Sequence, residues 1–345
     1  MATRKSGIKR IDDLLFDGTG GPIDAQTSDV DAVGAVQDLL TGHGYRTTGL
    51  RAAVYGKFGK ATRRAVAAFR KAAGLPAGEF VDQAMLRTLV DAPATNPIVS
   101  HAYLTLVLDR PYEKIGKLVS LVAIVEGAGR FSAMCPNTDK AGLSVGIIQW
   151  AQKPKRLGEL VARWARDAAD RDVALPLLGF KPGDGPDPEF QKLVAHLNAK
   201  RGGTTESGAT TDAKYDLIRE PWKTRFRGAL VNGRLQRVQV DAAADAFKAS
   251  WAALAPKMPK LKSERAVGFV LDLANQFGDG GAAGIYNAVD TTTETEREVM
   301  ERMRGEAKAR LEKQFPKLPA VPVAGEDRRR FFLDTPRLAD TEFVP

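Results

Sequence analysis

The sequence holds a single cysteine, Cys135, and only three histidines, His43, His101 and His196. One thiol cannot close an intramolecular disulfide, and so few scattered nitrogen and sulfur ligands do not make a zinc site. This argues against metal catalysis and against a Ser/His/Asp triad, and no cofactor is expected. Cys135, set between Met134 and Pro136 with no histidine near in sequence, reads as a small packing residue rather than a nucleophile. Aromatic residues make up only 7% of the chain and do not interleave with basic ones, so the stacking platform of a nucleic-acid binder is missing. No apolar run reaches the roughly eighteen residues of a membrane span. The basic N-terminus "MATRKSGIKRIDDLLFDGTGG" also lacks the apolar core of a standard secretory signal, so the chain is expected to be made in the cytoplasm.

What is present is a soluble globular composition, 43% hydrophobic and 27% charged over 345 residues with a net charge of +9. That length accommodates two domains. The positive balance favours an acidic partner in general terms, whether nucleic acid, an anionic membrane or an anionic wall polymer.

Two stretches divide the chain. "DGTGGPIDAQTSD", residues 17–29, is rich in Gly, Asp and Thr and makes residues 1–29 an irregular lead-in. "DAPATNP", residues 91–97, supplies a Pro/Ala/Thr linker over 92–97. Between them three helical patterns occupy 30–91. "VDAVGAVQDLLTGHGY" aligns Val33, Val36, Leu39 and Leu40 on one face, "KATRRAVAAFRKAAGL" aligns Ala65, Val66, Ala68 and Phe69, and "VDQAMLRTLV" carries Met85, Leu86 and Leu89. So small a unit suits binding better than catalysis. The basic positions Lys60, Arg63, Arg64, Arg70 and Lys71 read as a solvated helix face or a contact for an anionic polymer.

Residues 98–320 are helical by period, and only "GLSVGIIQW" reads as strand. The fold class expected is mainly α, with a small three-helix module and a larger α domain carrying a small β-hairpin or sheet. "RGGTTESGATTD", residues 201–212, has the composition of a mobile surface loop. The tail 321–345 shows little periodicity.

The order Gln37, Leu40, Gly44-Tyr45, "YGKFGKATRRAVAAFRKAAGL", "GEFVD" and Leu89 resembles the common peptidoglycan-binding repeat, a three-helix module. The resemblance implies that residues 30–91 hold the wall, with Tyr45, Tyr55, Phe58 and Arg63 as contacts. Tyr55 departs from the Asp usual before the glycine, and Arg70 from the usual Gln after the aromatic residue.

The stretch "LVAIVEGAGRFSAMCPNTDKAGLSVGIIQW", residues 121–150, places two acids in contrasting settings. Glu126 closes a hydrophobic helix, where burial and the negative end of the helix dipole both favour the protonated carboxyl. Asp139 lies in the polar stretch "NTDKAG", which favours the ionised form. One proton donor and one ionised partner are the working parts of glycoside hydrolysis, with the carboxyls roughly 6.5–9.5 Å apart in inverting enzymes and about 5–5.5 Å in retaining ones.

"DKAGLSVGIIQW" resembles the chitosanase segment in which an Asp precedes a Gly-aromatic-Thr-Ala-Gly-Ile-Ile run. That implies Asp139 as general base, Ser144 as the water-positioning hydroxyl and Glu126 as general acid. The same stretch is similar to goose-type lysozymes and lytic transglycosylases, where a helix-end Glu is followed by a Gly-Leu-Met-Gln strand; Gly146, Ile147, Ile148 and Gln149 fill those places. All imply a lysozyme-like domain over 98–320. The basic charge and the binding module favour peptidoglycan over chitosan as substrate, cut by a muramidase-like, inverting hydrolase. The alternatives are a lytic transglycosylase using Glu126 alone, or a non-catalytic wall-binding component of a phage or contractile injection assembly. Action at the wall is expected after lysis, release or injection. Gln149, Trp150 and the helical set Asp272, Asn275, Gln276 and Asp279 are candidates to line a sugar cleft, although the helical set reads more readily as a solvated face; Trp150 and Trp222 read equally as rings that stack on a sugar or as core.

Overall fold

Helices form where the sequence supplies an apolar stripe, and at several starts a side chain also accepts from the orphan amides. The structure, a computed structural model, describes residues 4–136, 140–182, 187–199, 203–289 and 295–344. It divides into two compact units, Met1–Ala243 and Ala244–Pro345.

In the first unit the lead-in is ordered, contrary to its irregular composition. Helix α1 (Lys9–Asp12) runs into a π-helical turn over Asp13–Asp17, and Ile8, Ile11, Leu14 and Leu15 are buried. Asp12 ties its start by accepting from the Ser6 amide at 2.7 Å, the Ser6 hydroxyl at 2.8 Å and the Gly7 amide at 2.9 Å. Three helices come next, α2 (Val30–Gly42), α3 (Lys60–Ala72) and α4 (Gln83–Asp91). Asp29 and Asp82 cap α2 and α4 by accepting from Ala32 and Met85. Val33, Val36, Leu40, Val66, Met85 and Leu86, all at 0% exposure, form the module's core. The three-helix module expected from the periodicity is therefore present.

Arg70 does not belong to a solvated face. It is 1% exposed, and its guanidinium donates to the carbonyls of Pro76 and Phe80 while stacking over the Phe80 ring at 4.4 Å. It holds the connection between α3 and α4 in place.

Beyond the linker, a π-helical turn (Tyr103–Val107) leads to α5 (Lys114–Gly127). A three-stranded antiparallel sheet succeeds it in the order β1 (Met134–Pro136), β2 (Leu143–Val145), β3 (Trp150–Ala151). Its register pairs Cys135 with Ser144 and Val145 with Trp150. Because side chains alternate across a strand, Leu143 and Val145 fill the core while Ser144 lies on the other face with Cys135 and Ala151. Helices α6 (Arg156–Trp164), α7 (Ala168–Leu178), α8 (Pro188–Asn198) and α9 (Trp222–Val231) complete the packing, α6 against β3 and α8, and α7 against α9. Residues 203–212 are folded onto the body, with Ser207 and Thr210 at 0% exposure; the mobile loop suggested by composition is not what forms there.

Helix α10 (Gly233–Leu254) begins in the first unit and ends in the second. The second unit continues with α11 (Glu264–Asn287), broken at Gly278 (φ 72°, ψ 166°), then α12 (Glu296–Gln314) and α13 (Ala320–Asp334). Thr295 and Glu298 form a capping box on α12. The tail is largely helical: α13 packs on α12 and α11, burying Phe332 and Leu333. Arg265 fastens the end of α13 and the chain beyond it, donating to the carbonyls of Phe332, Leu333, Thr335 and Leu338. Among the described residues the architecture is mainly α with one small sheet. Among the described residues no helix is long and apolar enough to cross a membrane.

Candidate functional site

Glu126 occupies the last turn of α5, a helix whose Leu118, Val119, Leu121, Val122 and Ala123 are buried. The helix ends one residue later than the glycines suggest. Gly127 is still helical, and Ala128 takes the left-handed conformation at φ 54°, which costs an Ala roughly 1–2 kcal/mol. Gly129 then turns the chain with φ 74°, its amide donating to the Ala123 carbonyl at 2.9 Å. Glu126 is half-buried at this end rather than enclosed.

The sheet approaches the same helix end because Gly127 has no side chain. A Cβ there would lie 2.5 Å from the Ala133 Cβ and 3.7 Å from the Gln149 amide nitrogen. The Gly146 amide donates to the Ala133 carbonyl at 2.8 Å, and the Gln149 side chain donates to the Gly146 carbonyl at 3.0 Å. Gln149 is itself left-handed, at φ 53°. Two strained non-glycine residues, Ala128 and Gln149, thus flank the turn that carries Glu126, a pattern that accompanies functional sites. Ser144 is half-buried on the sheet face shared with Cys135. Asp139 lies outside the described residues.

Several other candidates are placed elsewhere. Trp150 is 4% exposed and packs beside Gly146, and Trp222 is 6% exposed with its indole nitrogen donating to the Lys214 carbonyl at 2.8 Å. Both are core residues because their strand and helix faces point inward, and neither offers a ring to a sugar. Asp272, in the second unit, is completely buried and ion-paired with Arg328 at 2.6 Å and Arg329 at 3.5 Å, while Gln276 accepts from Arg329. These polar groups satisfy internal arginines rather than line a cleft; Asn275 and Asp279 are half-buried beside them on the same helix.

In the module, Phe58 is 7% exposed and belongs to the core. Tyr45 is half-buried and meets Phe69 edge-on at 5.4 Å. Tyr55 lies over Gly34, where a Cβ would come within 2.8 Å of its ring, and donates to Asp38 at 2.7 Å. Arg63 is half-buried at 3.7 Å from Glu79.

Residues 29–89 match the family model of a putative peptidoglycan binding domain. The match coincides with α2, α3 and α4 and supports association of this module with the cell wall. It ends at residue 89, before Glu126. No curated protein matches the chain at a significant level.

A cleft of about 350 Å³ is lined by Leu108, Asp109, Arg110, Asp170, Arg234 and Asp241 among others. Its charges are matched internally: Arg110 pairs with Asp241 at 2.8 Å, Arg234 with Asp170 at 3.5 Å, and Arg237 donates to the Leu108 carbonyl. Burial pushes the Asp170 carboxyl up, against the pull of Arg234. Leu108 to Arg110 precede the start of α5, whereas Glu126 lies in its last turn, and Glu126 is not among the residues that line the cleft.

Proposed function

We propose that the chain is a peptidoglycan-cleaving glycosidase in which Glu126 is the general acid. The observation that carries this reading is the pairing, within one compact unit, of a peptidoglycan-binding module with a carboxylic acid half-buried at the end of a hydrophobic helix beside a small sheet. In this reading Glu126 protonates the departing glycosidic oxygen, and Asp139 activates a water held by Ser144 on the opposite side of the sugar. Gln149, with its amide next to the Glu126 turn, orients the bound glycan. The protein then acts at the cell wall.

A second mechanism is favoured by the closeness of Gln149 to the helix end. In a lytic transglycosylase Glu126 serves as both acid and base, and Asp139 is dispensable. Mass spectrometry of products released from purified peptidoglycan separates the two: reducing ends mark the hydrolase, anhydro-sugar ends the transglycosylase. Glu126→Gln should lower product release at least about a hundredfold while leaving the thermal midpoint unchanged. Release at parental rate by that variant excludes Glu126 as the acid. A parent that binds wall and releases nothing points instead to a wall-binding component of a phage or injection assembly.

A further inference from the structure

We propose that the turn following Glu126 and the 47–54 loop of the binding module form one continuous surface for a single peptidoglycan strand. The module is then a fixed subsite beside Glu126 and not an anchor on a tether. The inference rests on the wall-glycan reading above and adds where and how the strand is held.

The first observation is a contact across the two parts of the first unit. A Cβ at Gly129 would lie 3.7 Å from the Leu50 methyl group and 2.6 Å from Ile98. Leu50 belongs to the module's loop between α2 and α3, and Gly129 is three residues past Glu126. Three residues span at most about 11 Å of chain. The module's loop therefore stands at the edge of the turn that carries the acid.

The second observation is that the linker is bonded on both sides. The Asn96 amide donates to the Gly42 carbonyl at the end of α2 at 2.8 Å, and the Ser132 hydroxyl donates to the Asn96 side chain at 2.7 Å. The Val99 amide donates to the Gly129 carbonyl at 2.7 Å. The lead-in straps the same two parts from another side: Ile23 and Val81 exchange two backbone bonds, Gln83 donates to the Leu15 carbonyl, and His101 donates to the Ser6 carbonyl at 2.6 Å. A free six-residue linker would let the module wander over roughly 13–15 Å. These bonds remove that freedom, so binding and cleavage are held in register.

The third observation is charge. Arg51 follows Leu50 and Arg130 follows Gly129; both are exposed, and among the described residues neither guanidinium has a hydrogen bond or ion pair. Arg46, also exposed, adds a third. Most arginines deeper in this unit are tied, as Arg70, Arg110 and Arg237 are. Uncommitted guanidinium groups on both sides of the Leu50–Gly129 contact suit the carboxylates of the stem peptides that hang from wall glycan.

The test measures binding, so it stays readable whatever the catalytic outcome. In a full-length Glu126→Gln background, soluble glycan strands bearing stem peptides are titrated by fluorescence anisotropy. Arg51→Glu and Arg130→Glu should each weaken binding about tenfold or more, and strands stripped of peptide should show much smaller losses. Insertion of Gly-Gly-Ser-Gly-Gly-Ser between Pro93 and Ala94 should weaken binding at least tenfold with the thermal midpoint retained, whereas a tether changes effective concentration by only a small factor. Arg130→Glu binding like the parent while Arg51→Glu weakens shows that the module binds alone and overturns the proposal. So do losses at neither arginine, an insertion variant that binds like the parent, or a parent that binds no strands.

Discussion

The guanidinium of Arg70 reaches the carboxylate of Asp82 at 3.1 Å from a position only 1% exposed to solvent. One side chain thereby fastens the α3–α4 connection through Pro76 and Phe80 and steadies the residue that caps α4. Replacing it by Met keeps the stem but strands the Pro76 and Phe80 carbonyls, and should destabilise the first unit by about 3 kcal/mol in urea unfolding.

The same pair sets an acid limit. Burial acts to raise the Asp82 carboxyl, but the bonds from Arg70 and the Met85 amide outweigh it and hold the group below the usual carboxylate value of 3.8. A carboxyl lowered in the folded state contributes stability above about pH 4 that is lost as pH falls through the lowered folded value. Thermal midpoints measured from pH 6 down to pH 2.5 should therefore fall more steeply for the parent than for Asp82→Asn.

His101 gives a second, milder pH dependence. Burial pushes its imidazole below 6.5, against the Ser6 carbonyl bond and the charges of Asp31 and Asp12, and its ring stacks on Tyr112 at 4.0 Å. The folded state favours the neutral ring, so its contribution is present above about pH 6.5 and lost as pH falls below that. Hydrogen exchange at residues 6–12, corrected for intrinsic rate, should show weaker protection at pH 5.5 than at pH 7.5, and His101→Gln should flatten the difference.

Gly146 tests the sheet. Its φ is 76°, and a Cβ there would lie 2.5 Å from the Gln239 side-chain oxygen and 2.9 Å from the Trp150 ring. Gly146→Ala combines backbone strain with a collision against two buried groups and should cost about 2 kcal/mol or more, seen as a lowered melting temperature and an altered Trp near-UV signal.

Asp272 in the second unit neutralises Arg328 and Arg329, which are 11% and 0% exposed. Asp272→Asn removes the carboxylate that these buried guanidinium groups face and should destabilise that unit by about 3–5 kcal/mol in chemical denaturation, without affecting strand binding.

The sequence made the three helices of the module legible because Val33, Val36 and Leu40, or Met85, Leu86 and Leu89, recur at helical spacing between strong breakers. The β region around Val145 was announced by its β-branched residues, but Ile147 and Ile148 form the turn between β2 and β3 rather than continuing the strand, and β1 left no signal. The lead-in was obscured by "DGTGG", although Ile8, Ile11, Leu14 and Leu15 already carried a helical stripe. Helix α13 was hidden by Pro322 and Gly325, yet a proline within the first turn removes only an amide with no intrahelical partner. Glu126 could be picked out because a carboxylate after a long apolar run is rare. Phe58 was misplaced and Trp150 left undecided, since an aromatic residue near a glycine looks the same in sequence whether it faces solvent or core. Leu50 against Gly129 left no local signal at all: only tertiary folding brings those positions together.

The strap formed by residues 4–23 also bears on how this wall-binding unit could have been exchanged between proteins. A fragment cut at residues 29 and 89 would leave behind Ile23, whose backbone pairs with Val81, and the Leu15 carbonyl that receives Gln83. It would carry an uncovered apolar flank wherever it was transplanted. The transferable cassette in this chain is therefore longer than the matched family segment, and a recombination boundary that preserves folding lies upstream of the strap.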